Sequence, residues 1–290
     1  MAVIDNAHRS RNRPVHALAL SLGYSPCPND CFIFYALAHR RVATAPTVKV
    51  HLDDVEALNQ LALQGVLDAS KLSYHAAFLV SEEYVMLRSG GALGQGVGPL
   101  IVSRVPLRSL AGRRIAVPGR LTTANLLLQL SQPDTVPITM RYDQIMPAVA
   151  AGQVEAGLII HESRFTYPHY GLIKHQDLGA WWEAETGLPL PLGGIMARRS
   201  LGRAVIERLD EAIRASLSYG YAHRAEAQPY IAAHAQELAA TVMQQHIDLY
   251  VNDYTRDLGQ TGKEAVTTLR RLGQARGLLP HNSAPLFWDD

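Results

Sequence analysis

Short runs of aliphatic and β-branched residues alternate with amphipathic stretches through the first two thirds of the chain. The short runs predict β-strands, and the stretches with apolar residues at helical spacing predict α-helices. This alternation is typical of parallel sheets joined by crossover helices. Beyond Arg198 the pattern becomes mainly helical, so the sequence predicts an α/β protein with a helical C-terminal part.

Local signals place the individual elements. A strand at 17–23 is predicted to lead into a helix at 28–39, because proline suits the first turn of a helix. Asp53 or Asp54 is expected to cap a second helix, and Ser73 a third. Further strands are predicted at 48–52, 67–72, 84–88, 100–103, 114–117, 138–141 and 156–160. The glycine-rich segment 89–99 has neither a phosphate-loop ending nor a dinucleotide fingerprint, and is expected to be a mobile connection.

The chain of 290 residues is long enough for two domains. The connectivity predicts a first lobe from 17–104 and 198–290, and a second lobe from 105–197. The crossings would lie near 103–106 and 193–198. This layout predicts a two-lobed type 2 periplasmic-binding-protein fold with a ligand cleft between the lobes. Residues 1–16 are expected to form a disordered tail.

Composition narrows the classes of partner. The formal charge is +1, so no overall field draws the chain to nucleic acid or to an anionic membrane. No apolar run approaches the roughly 20 residues that a membrane-spanning helix needs. With nucleic acid and membranes disfavoured in this way, the expected partner is a small-molecule substrate. The basic N-terminus resembles a secretion signal, but cleavage there would remove most of the predicted first strand, so a cytoplasmic location is expected. The sequence does not indicate an oligomeric state.

The two cysteines, Cys27 and Cys31, are four positions apart. This spacing matches neither a redox motif nor half of a four-cysteine zinc site. Two reduced thiols are therefore expected, with no bound metal.

Ligands of open parallel sheets bind beyond the carboxyl ends of the strands, so the residues that follow each predicted strand are the candidate site. These candidates are Ser25, Asn29, Lys71, Ser73, Thr122, Thr123, His161, Glu162, Ser163 and Arg164. Lys71 stands in an apolar setting, where its ammonium either meets a ligand carboxylate or reaches water along its own stem. Thr122 and Thr123 precede a helix whose free N–H groups favour an anion, although N-capping accounts equally well for one threonine.

His161 follows the buried strand predicted at 156–160, which should deliver its imidazole to the cleft. It is a candidate general base, and the alternative is a structural histidine that makes hydrogen bonds. The sequence contains no Ser/His/Asp order and no zinc-protease motif that would compete with this interpretation.

Several segments resemble the 1,4-dihydroxy-6-naphthoate synthase family of the futalosine route to menaquinone. The resemblance covers most of the chain after His16 and rests on LGYSPCPND (22–30), KLSY (71–74), RSGGALG (88–94), AVPGR with TTA (116–124), GLIIHESRFTY (157–167) and LPLPLG (188–193). Cys31 departs from it, since threonine is expected there.

The resemblance implies a lyase that cleaves cyclic dehypoxanthinylfutalosine to 1,4-dihydroxy-6-naphthoate and a three-carbon fragment, without a redox cofactor or a metal. It implies that His161 is the proton acceptor. It also implies that ligand contacts come from Lys71, Leu72, Ser73, Thr123 and Ala124. Two alternatives remain at this point: a sister enzyme of the same fold, such as chorismate dehydratase, and a binding protein that performs no chemistry.

Overall fold

The computed structural model describes residues 19–235, 239–282 and 284–290, and these ranges contain eleven strands and twelve α-helices. The strands are β1 (Leu20–Tyr24), β2 (Val48–Leu52), β3 (Ala69–Ser73), β4 (Tyr84–Met86), β5 (Ala92–Gly94), β6 (Leu100–Ser103), β7 (Arg114–Val117), β8 (Val136–Thr139), β9 (Ala156–Ile159), β10 (Ile173–Asp177) and β11 (Leu190–Arg198). The helices are α1 (Pro28–Ala38), α2 (Val55–Leu63), α3 (Tyr74–Leu79), α4 (Thr123–Ser131), α5 (Tyr142–Ala150), α6 (Ser163–Thr166), α7 (Leu178–Thr186), α8 (Arg203–Ala222), α9 (Arg224–His234), α10 (Ala240–Tyr250), α11 (Asp253–Arg256) and α12 (Gly259–Ala275). The predicted tail at 1–16 lies outside the described residues, as do the first two residues of the strand predicted at 17–23. None of the described helices is long and apolar enough to span a membrane.

The first sheet has the strand order β2-β1-β3-β11-β4, with β5 also paired to β11. Strands β2 and β3 run parallel to β1. Strand β11 runs antiparallel to β3, β4 and β5, and it brings the chain back to the first sheet before the C-terminal helices begin. The strand–helix alternation and the helical C-terminal part agree with the predicted α/β architecture.

The second sheet has the order β10-β6-β9-β7-β8. Strand β7 is parallel to β8 and β9, whereas β6 pairs antiparallel with β9 and β10. The chain therefore crosses between the sheets at 95–99 and 187–189, earlier than the predicted crossings near 103–106 and 193–198. Strand β6 is buried at all four positions, so its apolar pattern shows a strand but does not show which sheet it joins.

Helix α1 is buried on nearly every side, because its sequence PNDCFIFYALA carries few polar groups. Helix α8 covers it with an amphipathic face on which Ile206, Leu209, Ile213 and Leu217 are buried. Ser216 of α8 donates to the carbonyl of Ile33 at 2.7 Å and accepts from the N–H of Leu37 at 3.1 Å. These bonds hold the middle and the last turn of α1 against α8.

Of the two predicted caps at the cleft, the side chain of Asp54 makes capping bonds and that of Ser73 does not. The carboxylate of Asp54 accepts from the backbone N–H groups of Glu56 and Ala57 at 2.9 and 3.0 Å, which selects Asp54 over Asp53 as the cap of α2. Ser73 stands at the N-cap position of α3, as predicted, but its side chain makes no capping bond. A cap such as that of Asp54 stabilises a helix by about 1 kcal/mol.

The glycine-rich segment 89–99 contains β5 and is anchored to the first lobe. Ser89 donates through its backbone N–H to Asp210 at 2.9 Å and through its hydroxyl at 2.6 Å. The N–H of Gly90 donates to the carbonyl of Thr255 at 2.7 Å. These bonds and the burial of most of the segment disagree with the predicted mobile connection.

Candidate active site

A cleft lies between the two sheets, at the carboxyl ends of β1 and β3 on one side and of β7 and β9 on the other. It is lined by Ser25, Asn29, Asp30, Val55, Leu58, Lys71, Leu72, Ser73, Ala92, Gly98, Pro99, Thr122, Thr123, Ala124, Ile160, His161, Leu192, Gly193, His246 and Tyr250. The strand-end rule predicts this location. The cleft is lined by the expected base and by the six expected ligand-binding residues, which are His161, Lys71, Leu72, Ser73, Thr122, Thr123 and Ala124. Of the other strand-end candidates, Ser25 and Asn29 line it, while Glu162 to Arg164 lie immediately beyond it along the chain.

His161 has a left-handed backbone with φ of 55°. Residues other than glycine rarely adopt this conformation, which costs about 1–3 kcal/mol and is found mainly at functional sites. The residue comes two positions after the end of β9, and the turn there aims its imidazole into the cleft. The centroid of its ring lies 5.5 Å from that of Tyr142 and 6.1 Å from that of His246, and both pairs are T-shaped.

Cys27 meets His161 across the cleft. Its Sγ lies 3.3 Å from Nδ1 of His161 and 3.9 Å from Nε2. Burial raises the pKa of the Cys27 thiol well above its ordinary value, and the nearby carboxylates of Glu162 and Asp30 raise it further. The thiol is therefore protonated at neutral pH. Sequence reasoning missed this pair, because the residues are 134 positions apart and no spacing rule connects them.

Burial also lowers the pKa of His161 below its ordinary value. The carboxylates of Glu162 and Asp30 oppose this shift, whereas the ammonium of Lys71 adds to it. The imidazole is consequently neutral at neutral pH, and one of its ring nitrogens can accept a proton.

Lys71 is paired within the protein. Its Nζ donates to Oδ1 of Asp30 at 3.0 Å and to the carbonyl of Gly90 at 2.6 Å. The hydroxyl of Ser25 donates to Oδ2 of the same carboxylate at 2.8 Å. Because the ammonium is buried, it does not reach water along its stem, and its charge is already balanced before any ligand enters.

The two threonines of the α4 turn have different partners. The hydroxyl of Thr122 accepts from the N–H of Asn125 at 3.2 Å, so this residue is the N-cap of α4. The hydroxyl of Thr123 donates to the carbonyl of Leu192 at 2.6 Å, and this bond joins α4 to β11 of the first sheet. The N–H groups of Thr123 and Ala124 belong to the first turn of a helix, where they have no intrahelical acceptor. They are available to an anion.

Ser73 is held by Asn59 of α2. Its backbone N–H donates to Oδ1 of Asn59 at 3.0 Å, and its hydroxyl accepts from Nδ2 at 3.3 Å. The same amide Nδ2 also lies 3.4 Å from the carbonyl of Leu121 in the second lobe. Ser73 is thus a fixed polar group beside the apolar side chains of Leu58 and Leu72.

Two further lining residues come from α10 and were not predicted. His246 is 1% exposed, and its Nδ1 has no hydrogen-bond partner within the described part of the chain. Burial lowers its pKa well below the ordinary value, and His161 lowers it further. The ring of Tyr250 packs against it at 4.7 Å. The sequence held no signal for either residue, since α10 follows no predicted strand.

Glu162 brings a third donor atom to the Cys27–His161 contact. Its side chain is buried, and its Oε2 has no hydrogen-bond partner among the described residues. One ligand atom from each of Cys27, His161 and Glu162 lies within 4.8 Å of the others. The spacing of the two cysteines does not indicate this cluster, because His161 lies 134 positions from Cys27 along the chain.

Comparisons with known proteins agree with the fold and show the family. A menaquinone-biosynthesis family model matches residues 20–275. A protein named 1,4-dihydroxy-6-naphthoate synthase from Thermus thermophilus is 57% identical over 269 residues, which cover 93% of this chain and 99% of that protein. A crystal structure of a protein from Archaeoglobus fulgidus is 37% identical with a TM-score of 0.87, over 91% of this chain and all of that one.

The alkanesulfonate-binding protein SsuA from Xanthomonas axonopodis pv. citri is similar in fold alone, at 18% identity and a TM-score of 0.70 over 92% of this chain and 96% of that one. This similarity confirms the predicted two-lobed periplasmic-binding-protein-like fold. The family-model match and the identity to the Thermus protein extend over nearly the whole described chain. The chain therefore belongs to the 1,4-dihydroxy-6-naphthoate synthase family of menaquinone biosynthesis.

Proposed function

We propose that this protein cleaves cyclic dehypoxanthinylfutalosine to 1,4-dihydroxy-6-naphthoate and a three-carbon fragment, as a carbon–carbon lyase in the cytoplasm. The observation that carries the proposal is the position of His161, a neutral imidazole held in a strained backbone conformation at the end of β9. A cytoplasmic location suits the two free thiols, which a reducing compartment maintains.

His161 acts as the general base. A proton passes from the substrate to the free lone pair of the imidazole, and this step starts the loss of the sugar-derived fragment. Aromatisation of the remaining ring system drives the cleavage forward. The lowered pKa of His161 keeps the imidazole ready to accept the proton at neutral pH.

The cleft offers separate surfaces for the two ends of the substrate. Apolar side chains, among them Leu58, Leu72 and Leu192, suit the flat ring system. The first turn of α4 supplies the N–H groups of Thr123 and Ala124 to the substrate carboxylate, since helix N-termini favour anions. Lys71 and Ser73 add a charged and a neutral hydrogen-bonding group on the opposite wall.

The experiment is to incubate purified protein with the cyclic precursor and to detect the naphthoate by mass spectrometry. His161→Asn should fold and bind product while losing about 10²–10⁴-fold in turnover, because that is the contribution of a general base. His169→Asn is the matched control, since His169 is exposed and lies outside the cleft.

Two results would contradict the proposal. Turnover by correctly folded His161→Asn above about a tenth of the wild-type rate would place the base elsewhere, because loss of a base costs at least 10². A wild-type protein that binds the precursor without releasing naphthoate would be a binding protein instead. Chorismate is assayed in parallel, and its dehydration would identify a sister enzyme.

A further inference from the structure

The cluster of Cys27, His161 and Glu162 has the donor set of a zinc site. Tetrahedral zinc binds sulfur at about 2.3 Å and nitrogen at about 2.0–2.1 Å, so neighbouring donors lie about 3.5 Å apart. Sγ of Cys27 and Nδ1 of His161 are already 3.3 Å apart. With all three ligand atoms within 4.8 Å of one another, rotation of the Glu162 side chain completes the set.

Glu162 provides an independent indication of a ligand. The residue is only 8% exposed, and its Oε2 has no hydrogen-bond partner among the described residues. A buried carboxylate oxygen without a partner is costly, and buried charges in proteins are normally paired or bound to a metal. The neighbouring ammonium of Lys71 is occupied by Asp30 and the carbonyl of Gly90, so it does not meet this need.

The charges at the cluster balance a divalent cation. A thiolate at Cys27 and a carboxylate at Glu162 supply two negative charges, and the imidazole of His161 supplies a neutral lone pair. The ion pair between Lys71 and Asp30 is already neutral and adds no net charge. Three protein donors leave a fourth position open toward the cleft, where water or a ligand oxygen can bind.

We propose that Cys27, His161 and Glu162 bind a thiophilic divalent cation such as Zn²⁺, and that the bound cation inhibits the enzyme. On binding, the Sγ–H bond of Cys27 breaks, its proton passes to solvent and a sulfur–metal bond forms without any change of oxidation state. The His161 lone pair that binds the cation is no longer available to the substrate proton. This inhibitory step rests on the proposed function, whereas the binding site itself does not.

The test begins with the full-length protein after removal of metal by a chelator. Calorimetric titration with Zn²⁺ should show one ion per chain and release of a proton. Titration with Co²⁺ should produce a thiolate-to-cobalt charge-transfer band. Cys27→Ser and Glu162→Gln should each weaken Zn²⁺ binding. The expected loss of affinity is larger than the factor of about 10–100 that follows loss of a residue that only hydrogen-bonds to a metal ligand.

Cys31→Ser is the matched control, because Cys31 is also buried but is not part of the cluster. It should bind Zn²⁺ like the wild type. Circular dichroism checks that each variant is folded, and Cys27→Ala replaces Cys27→Ser if the latter is not. Failure to bind Zn²⁺ stoichiometrically, or equal binding by the wild type and both cluster variants, would overturn the site.

Activity measurements separate this inference from the proposed function. Zn²⁺ should abolish naphthoate formation by the wild type, and excess chelator should restore it. An active enzyme that binds no Zn²⁺ would overturn the inference and leave the proposed function intact. Stoichiometric binding with undiminished turnover would overturn the inhibition and count against His161 as the base.

Discussion

The ammonium of Lys71 lies 3.0 Å from Oδ1 of Asp30, and the two side chains are only 7% and 3% exposed. A charge buried to this degree is stable only with a partner, and each residue provides that partner for the other. The pair connects β3 to the first turn of α1, so it fixes two elements that form one wall of the cleft. A substrate carboxylate must share Lys71 with Asp30, which leaves the first turn of α4 as the less encumbered anion site.

Removing one member of this pair should destabilise the protein strongly. Lys71→Met leaves Asp30 buried without its cation, and breaking a buried pair in this way costs about 3–5 kcal/mol. The double variant Lys71→Met with Asp30→Asn should recover much of the loss. Urea unfolding measures the free energies, and Lys49→Met, at an exposed lysine of β2, should change stability little. Equal effects of the two single lysine variants would contradict this account.

Much of the fold could be predicted because local patterns determine it. Strands β2, β6 and β7 occur at the residues expected from their apolar runs, and Asp54 caps α2 as its side-chain chemistry dictates. Local patterns do not determine which strands pair with one another. The lobe boundary predicted at residue 104 places β6 in the first lobe, but β6 pairs with β9 of the second sheet, and this pairing joins residues more than 50 positions apart.

The candidate site could likewise be predicted only in part from the sequence. His161 and Thr123 could be named because each follows a strand, where the topology of an open sheet places ligands. Cys27 and His246 could not be linked to His161, because contacts across the cleft depend on how two lobes meet. The partner of Lys71 could not be predicted either, since Asp30 lies 41 positions away and no spacing rule connects the two residues.

Thr123 should contribute to closure of the cleft as well as to binding. Thr123→Val keeps the side-chain shape but removes the 2.6 Å bond to the carbonyl of Leu192, which should cost about 0.5–1.5 kcal/mol. Thr122→Val is the comparison, because it removes the cap of α4 at a similar cost of about 1 kcal/mol without breaking a side-chain bond to the first sheet. Small-angle scattering should show a larger radius of gyration for Thr123→Val only. An unchanged radius of gyration would show that this bond does not contribute to closure of the lobes.

Three histidines should make the protein sensitive to acid. Burial lowers the pKa values of His75, His161 and His246 in the folded state. In the unfolded chain these histidines have the ordinary pKa of about 6.5, so below that pH the unfolded chain binds more protons than the folded chain. Stability is therefore fully present above that pH and is lost as the pH falls, by about 1.4 kcal/mol per pH unit for each such proton. His246→Gln should reduce the slope of unfolding free energy against pH, whereas the exposed control His169→Gln should not. Equal slopes for the wild type and His246→Gln would exclude His246 as a cause of the loss of stability in acid.

The carboxylate of Glu162 should set the acid limit of catalysis through His161. The base works only when neutral, so kcat/KM should fall as the pH drops through the pKa of His161, at a midpoint below the ordinary value of about 6.5. Among the charges that act on His161, Glu162 raises this pKa most, because its negative charge favours the imidazolium. Glu162→Gln removes that charge, so the pKa should fall and the acid limb of the profile should move to lower pH. The exposed Glu264→Gln is the control and should leave the profile in place. A limb that stays in place in Glu162→Gln, in protein shown by circular dichroism to be folded, would mean that a group other than His161 carries the titration.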